Sequence, residues 1–133
     1  MSRFPTPGHL ASWAGLCPGQ RESAGKRGSG RTRKGSIWLR GTLIEAARAA
    51  SRSKGTYLSE RYRQIRRRRG DKKAIIAVAH EILLVAHLLL STGQPYQDPG
   101  PERLRTITNE HAKRRALAQL AALGYNVHLQ PAA

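Results

Sequence analysis

Between Gly70-Asp71 and Gly93-Gln94-Pro95 lies the longest apolar stretch of the sequence, Ala74 to Leu90, interrupted only by His80, Glu81 and His87. It is far longer than an ordinary strand of about five or six residues. It is also short for a membrane span and holds three polar side chains that a lipid core would reject. A helix from Lys72 to about Thr92 satisfies both constraints, with Asp71 as its cap and Gly93 and Pro95 as its stop. Ile75, Ile76, Val78, Ile82, Leu83, Val85, Leu88, Leu89 and Leu90 leave that helix little polar surface, so it is expected to form the centre of the core.

The remaining segments read as shorter helices able to cover it. His9 to Leu16 is a short helix or turn ending near Gly15. Ser36 is an N-cap for a helix from Ile37 to about Arg52, with Leu39, Leu43, Ala46 and Ala50 on one face. Gly55 breaks the pattern, and Thr56 caps a helix whose apolar stripe is Leu58, Tyr62 and Ile65 and whose end is Gly70. Pro101 opens a last helix to about Leu123, with Leu104, Ile107, Leu117 and Leu120 inward and Gly124 as C-cap. From Pro18 to Gly35 the chain mixes glycine with basic residues and almost no apolar side chain, which reads as loop. The expected fold class is mainly α: a small helical domain of four to five helices, with a glycine-rich basic loop near the N-terminus and a long buried apolar helix. Residues 1–100 are expected to form one domain, and 101–133 a C-terminal helix and tail.

Charge narrows the partners. Lys and Arg number 24 against 8 Asp and Glu, a formal charge of +16 in 133 residues. A surface kept only for solubility mixes both signs, so the partner should be a polyanion. Nucleic acid is favoured over an anionic membrane, which calls for an amphipathic helix with aromatic anchors. Fourteen of the cations fall in residues 21–34 and 61–73. The candidate phosphate ligands are therefore Arg21, Lys26, Arg27, Arg31, Arg33, Lys34, Arg40, Arg63, Arg66, Arg67, Arg68 and Arg69. The glycines among them let backbone N–H groups approach a phosphate closely.

Ser23 lies beside Arg21, Lys26 and Arg27, where a scissile phosphate could be held against its hydroxyl. No activating base is identifiable, because the adjacent Glu22 would point elsewhere. His80 and Glu81 begin the zinc-protease pattern H-E-x-x-H, but Leu84 stands where its second histidine belongs. His80 and His87 are expected as hydrogen-bonded core or interface histidines. Cys17 is the single cysteine. It suits a reducing cytoplasm and offers neither a disulfide nor a cysteine-based zinc site.

The stretch from Phe4 to Arg40, F-P-T-P-G-H-L-A-S-W-A-G-L-C-P-G-Q-R-E-S-A-G-K-R-G-S-G-R-T-R-K-G-S-I-W-L-R, closely resembles the C-terminal transposase domain of the IS110 family. These are DEDD-type insertion-sequence transposases, grouped with the IS116 and IS902 elements. The similarity continues through Thr56-Tyr57-Leu58, the segment Lys73 to His80, and Pro95-Tyr96, and so covers roughly residues 1–100. The resemblance implies a recombinase with an N-terminal RuvC-like domain, whose four acidic residues hold Mg²⁺, and a C-terminal domain with a nucleophilic serine. A structured RNA guides its choice of donor and target. The family's A-G-L-x-P followed by serine and glycine corresponds to Ala14, Gly15, Leu16, Pro18, Ser23 and Gly25, which makes Ser23 the nucleophile by analogy. Ala24 intervenes where many members place glycine, so Ser29, followed by Gly30, is the alternative. Lys34, Gly35, Leu39 and Arg40 match positions after the loop, and Ser36 replaces a common asparagine.

The acidic domain would precede Phe4, so the chain is expected to be an N-terminally truncated transposase fragment. It would hold no cofactor itself, Mg²⁺ belonging to the missing domain, and would be inactive alone. Its expected partners are DNA, a structured guide RNA, and a second copy or a full-length transposase; no membrane is expected, and the location is cytoplasmic. The competing reading is a non-catalytic basic protein that coats nucleic acid.

Overall fold

The computed structural model describes residues 3–19, 22–28 and 30–129. Its helices are α1 (Pro7–Trp13), α2 (Ile37–Arg52), α3 (Tyr57–Arg69), α4 (Asp71–Thr92) and α5 (Glu102–Ala122), with two short strands, β1 (Glu22–Ser23) and β2 (Lys26–Arg27), between α1 and α2. The chain is mainly α, as its periodicity requires.

The apolar run folds as α4, which packs against α1, α2 and α3. Ala11, Ala14, Ala47, Ala74 and Ala79 are completely buried, so the helix backbones approach closely at these crossings. Leu16, Leu43, Val78 and Leu83 fill the space between them. By length and composition α4 would also suffice to cross a membrane. Its last turns outrun the helices that cover it: Leu88 and Leu90, expected in the core, are 57% and 72% exposed. His87 is buried beside them, with Nε2 donating to the carbonyl of Phe4 at 2.8 Å.

Local signals fix most helix ends. The Ser36 side chain accepts from the Leu39 N–H, and that of Thr56 from the Ser59 N–H. Asp98, from the connection after α4, adds a carboxylate to the start of α3, accepting from the Tyr57 N–H at 3.1 Å. Asp71 departs from expectation. It is the first residue inside α4, Gly70 holds the cap position at φ 83°, and no side chain caps the helix. The Asp71 carboxylate instead accepts from the Tyr62 hydroxyl across the α3–α4 corner, still close to the positive end of the α4 dipole.

Among the described helices, α5 touches only α3. Leu104 is buried and Ile107 and Leu117 are half-buried, but Leu120, expected inward, is exposed because no helix lies beside the far half of α5. The helix ends in a Schellman arrangement, with Gly124 at φ 85° and the Tyr125 N–H donating to the Leu120 carbonyl at 3.0 Å.

Candidate nucleic-acid interface

The segment expected as loop is an antiparallel arm. Ala24 and Gly25 both take positive φ, 49° and 74°, the backbone twist of a two-residue hairpin turn of type I′. That turn sets Ser23 opposite Lys26 and Glu22 opposite Arg27. Pro18 and Thr32 pair farther down, and the Gly19 N–H donates to the Arg31 carbonyl at 3.1 Å.

Gly15 and Gly35 cross at the base of the arm. A Cβ on Gly35 would sit 2.3 Å from the Gly15 nitrogen and 2.4 Å from the Ala14 carbonyl carbon, so only glycine fits. Arg40, one turn into α2, closes the base: its Nη1 donates to the Gly15 carbonyl at 2.8 Å and lies 3.5 Å from that of Arg33. A glycine-rich segment without a hydrophobic pattern is thus held by a tight turn at its tip and a backbone crossing at its root.

The arm, α3 and α4 enclose an open groove of about 1450 Å³. Its floor is apolar, with Leu16, Ile65, Ile76 and Leu84, and its cations are Arg31, Arg61, Arg69, Lys72 and Lys73. Residues from both basic stretches of the sequence therefore meet in one concavity. Arg61, Lys72 and Lys73 were not singled out from the sequence, because only the folded α3–α4 corner turns them toward the arm.

At one side of the groove the Glu81 carboxylate is bound twice. Its Oε1 accepts from the Tyr57 hydroxyl at 2.7 Å and its Oε2 from Arg61 Nε at 3.2 Å. Burial, reinforced by the Glu81 carboxylate, pushes the Tyr57 phenol up to about 12. The Tyr62 phenol is raised as well, chiefly by its hydrogen bond to Asp71, and that of Tyr96 by burial and then by Asp98 and Glu81. His80 is half-buried and lines the same groove.

The other candidate residues separate. Ser23 is exposed, and because strand neighbours face opposite ways, it shares the outer face of the ribbon with Lys26 while Glu22 turns into the groove. Arg33 and Lys34 are exposed near the arm's base. Arg63 pairs with Glu60, and Arg66 lies over the Tyr62 ring at 5.9 Å from its centroid. Arg63 and Arg67 line a smaller cleft beside α5, Arg68 is exposed, and of the run Arg66 to Arg69 only Arg69 borders the groove. Arg21 and Ser29, and the side chain of Arg27, lie outside the described residues.

The class defined by this architecture is a small, strongly basic helical domain bearing a β-ribbon arm. Residues 1–63 match the family described as Transposase IS116/IS110/IS902 family. The match takes in α1, the arm, α2 and the first half of α3, just under half of the chain, and it ties that span to a transposase-related role of the kind carried by insertion sequences. No curated protein and no solved structure matches the chain.

Proposed function

We propose that the chain is the DNA-contacting serine domain of an insertion-sequence transposase, with Ser23 as its nucleophile. The observation that carries this reading is the position of Ser23: solvent-exposed, across the ribbon from Lys26, at the tip of an arm anchored at its root, within the span that matches the transposase family. In the reaction the Ser23 Oγ attacks a backbone phosphorus. An Oγ–P bond forms, one P–O bond to a deoxyribose breaks, the serine proton passes to a base, and the departing sugar oxygen takes up a proton. The phosphoserine linkage retains the ester for later rejoining.

Lys26 and the neighbouring cations hold and neutralise the phosphate, while Arg40 acts as a positioning residue that fixes the arm's base. A structured guide RNA would share the basic surface. The Mg²⁺ ion that the resemblance implies would be held by the four acidic residues of a RuvC-like domain, and among the described residues no three His, Cys, Asp or Glu side chains converge. Strand transfer would draw on the Mg²⁺ of an acidic RuvC-like domain acting beside this one. The placement of Ser23 on the face away from the groove favours a second reading, in which the domain binds nucleic acid without catalysis.

Two measurements on the full chain test these readings. Duplex affinity should fall with log salt at a slope of about −5 if about six phosphates are neutralised. With a RuvC-like half supplied separately, a covalent DNA adduct should form and disappear in Ser23→Ala. An adduct that survives that substitution removes Ser23 from the chemistry, and salt-dependent binding with no adduct selects the second reading.

A further inference from the structure

The groove between the arm and the α3–α4 corner has a chemistry that simple attraction to phosphate does not explain. Lys72, Ile76, His80 and Leu84 succeed one another at intervals of four on α4, and all four line it. At 1.5 Å per residue this stripe is about 18 Å long. It begins with a cation and continues with an aliphatic side chain, a flat imidazole and a second aliphatic side chain. Ile65 from α3 widens the apolar strip, and Arg61 and Arg69 from the same helix border it.

The surface of a duplex offers phosphates, sugars and base edges, because the faces of its bases are stacked inside. Against a duplex the cations would find partners, whereas Ile76, Leu84 and Ile65 would find none. An unpaired strand exposes both components, phosphates along one side and flat, poorly hydrated base faces along the other. Glu81, the carboxylate beside the stripe, would repel a phosphate if its charge were uncovered. Instead one oxygen accepts from Tyr57 and the other from Arg61. The groove is cationic along its borders and apolar along its floor; of its two carboxylates, Glu81 beside the stripe is masked and Glu22 lies across the groove on the arm.

We propose that this groove binds an unpaired nucleic-acid strand, with bases laid on Ile76, His80 and Leu84 and phosphates on Lys72, Lys73 and Arg69. The proposal rests on the reading that the chain's polyanionic partner is nucleic acid, and specifies which form of it the groove takes.

The test uses the full chain at about 0.15 M salt. Its probes are a single strand of about 12 nucleotides in DNA and in RNA form, the blunt DNA duplex of the same sequence, and polyglutamate of matched charge. At least one of the single strands should bind about tenfold or more tighter than the duplex. His80→Ala and Ile76→Ala should each shrink that preference severalfold, because each removes a surface for a base and neither removes a cation that neutralises phosphate. Because Ile76 also packs on the core, the His80 variant and a crosslinking arm stand independently of it. Strands carrying a photoreactive thio-base should crosslink to peptides between residues 61 and 84. Equal or tighter duplex binding, or crosslinks confined to other segments, overturns the groove assignment and leaves the DNA-contacting reading intact. Polyglutamate binding as well as the strands overturns it in favour of an acidic polypeptide, and failure of every nucleic acid to bind overturns both proposals.

Discussion

Gly35 and Arg40 show how single residues set the geometry of the arm. The methyl group in Gly35→Ala would meet backbone atoms of Ala14 and Gly15, which cannot swing aside as a flexible side chain does. This variant should lose about 1–3 kcal/mol of stability, read as a lower urea midpoint. The control Gly30→Ala, with nothing within 4 Å of its added carbon, should stay within about 0.5 kcal/mol. An unchanged midpoint for Gly35→Ala would mean that the crossing is looser than the 2.3 Å approach implies. Both positions stood out in the sequence through their place in the family-like pattern, but neither role was legible. Each depends on contact with Gly15, far away along the chain, and a pattern of residue types does not reveal which backbone atoms will meet. Arg40 was read as a phosphate ligand; the structure adds that its Nη1 is engaged by carbonyl oxygens at the root of the arm.

Among the elements, helices were legible and the arm was not. Apolar side chains at helical spacing and the caps Ser36 and Thr56 locate α2 and α3 closely, since both signals lie within a turn of the residues they define. The arm has no such period, and its pairing follows from positive φ at Ala24 and Gly25, a conformation alanine seldom takes. Asp71 was misassigned because Tyr62 from another helix claims its carboxylate. For α5, the leucine spacing gave the correct helix and the wrong surroundings: a stripe indicates that a face is apolar, not that a neighbour is present. The far half of α5 should therefore exchange its amide hydrogens much faster than α4. Amides of Ile75 to Leu83 should be the slowest in the chain, while those from Arg114 to Ala122 should approach unprotected rates. Equal protection along both helices would show that something covers α5 in solution.

For the whole molecule, the tyrosine network links stability to alkaline pH. An unfolded tyrosine ionises near 10, but folded Tyr57 keeps its proton to about 12. Below about pH 10 both states are protonated and this group's contribution is constant; between about 10 and 12 the unfolded state ionises first, and stability falls as pH rises. Tyr62 and Tyr96, also raised, act in the same direction. Replacing Tyr57 with Phe should cost about 1 kcal/mol at neutral pH by removing the hydrogen bond to Glu81. It should also flatten the alkaline decline in urea midpoints measured from pH 9 to 12. An identical alkaline slope in wild type and variant would refute the assignment.

The crossing of Gly15 and Gly35 divides the polypeptide into a frame and a cassette. Because the two ends of the arm already touch, lengthening its tip adds only the slowly growing entropy of a larger loop. The helices would not register how many residues travel out and back. The tip between Ser23 and Lys26 is thus the natural place to splice in a foreign peptide or a reporter, and a chain so extended would retain its helical scaffold.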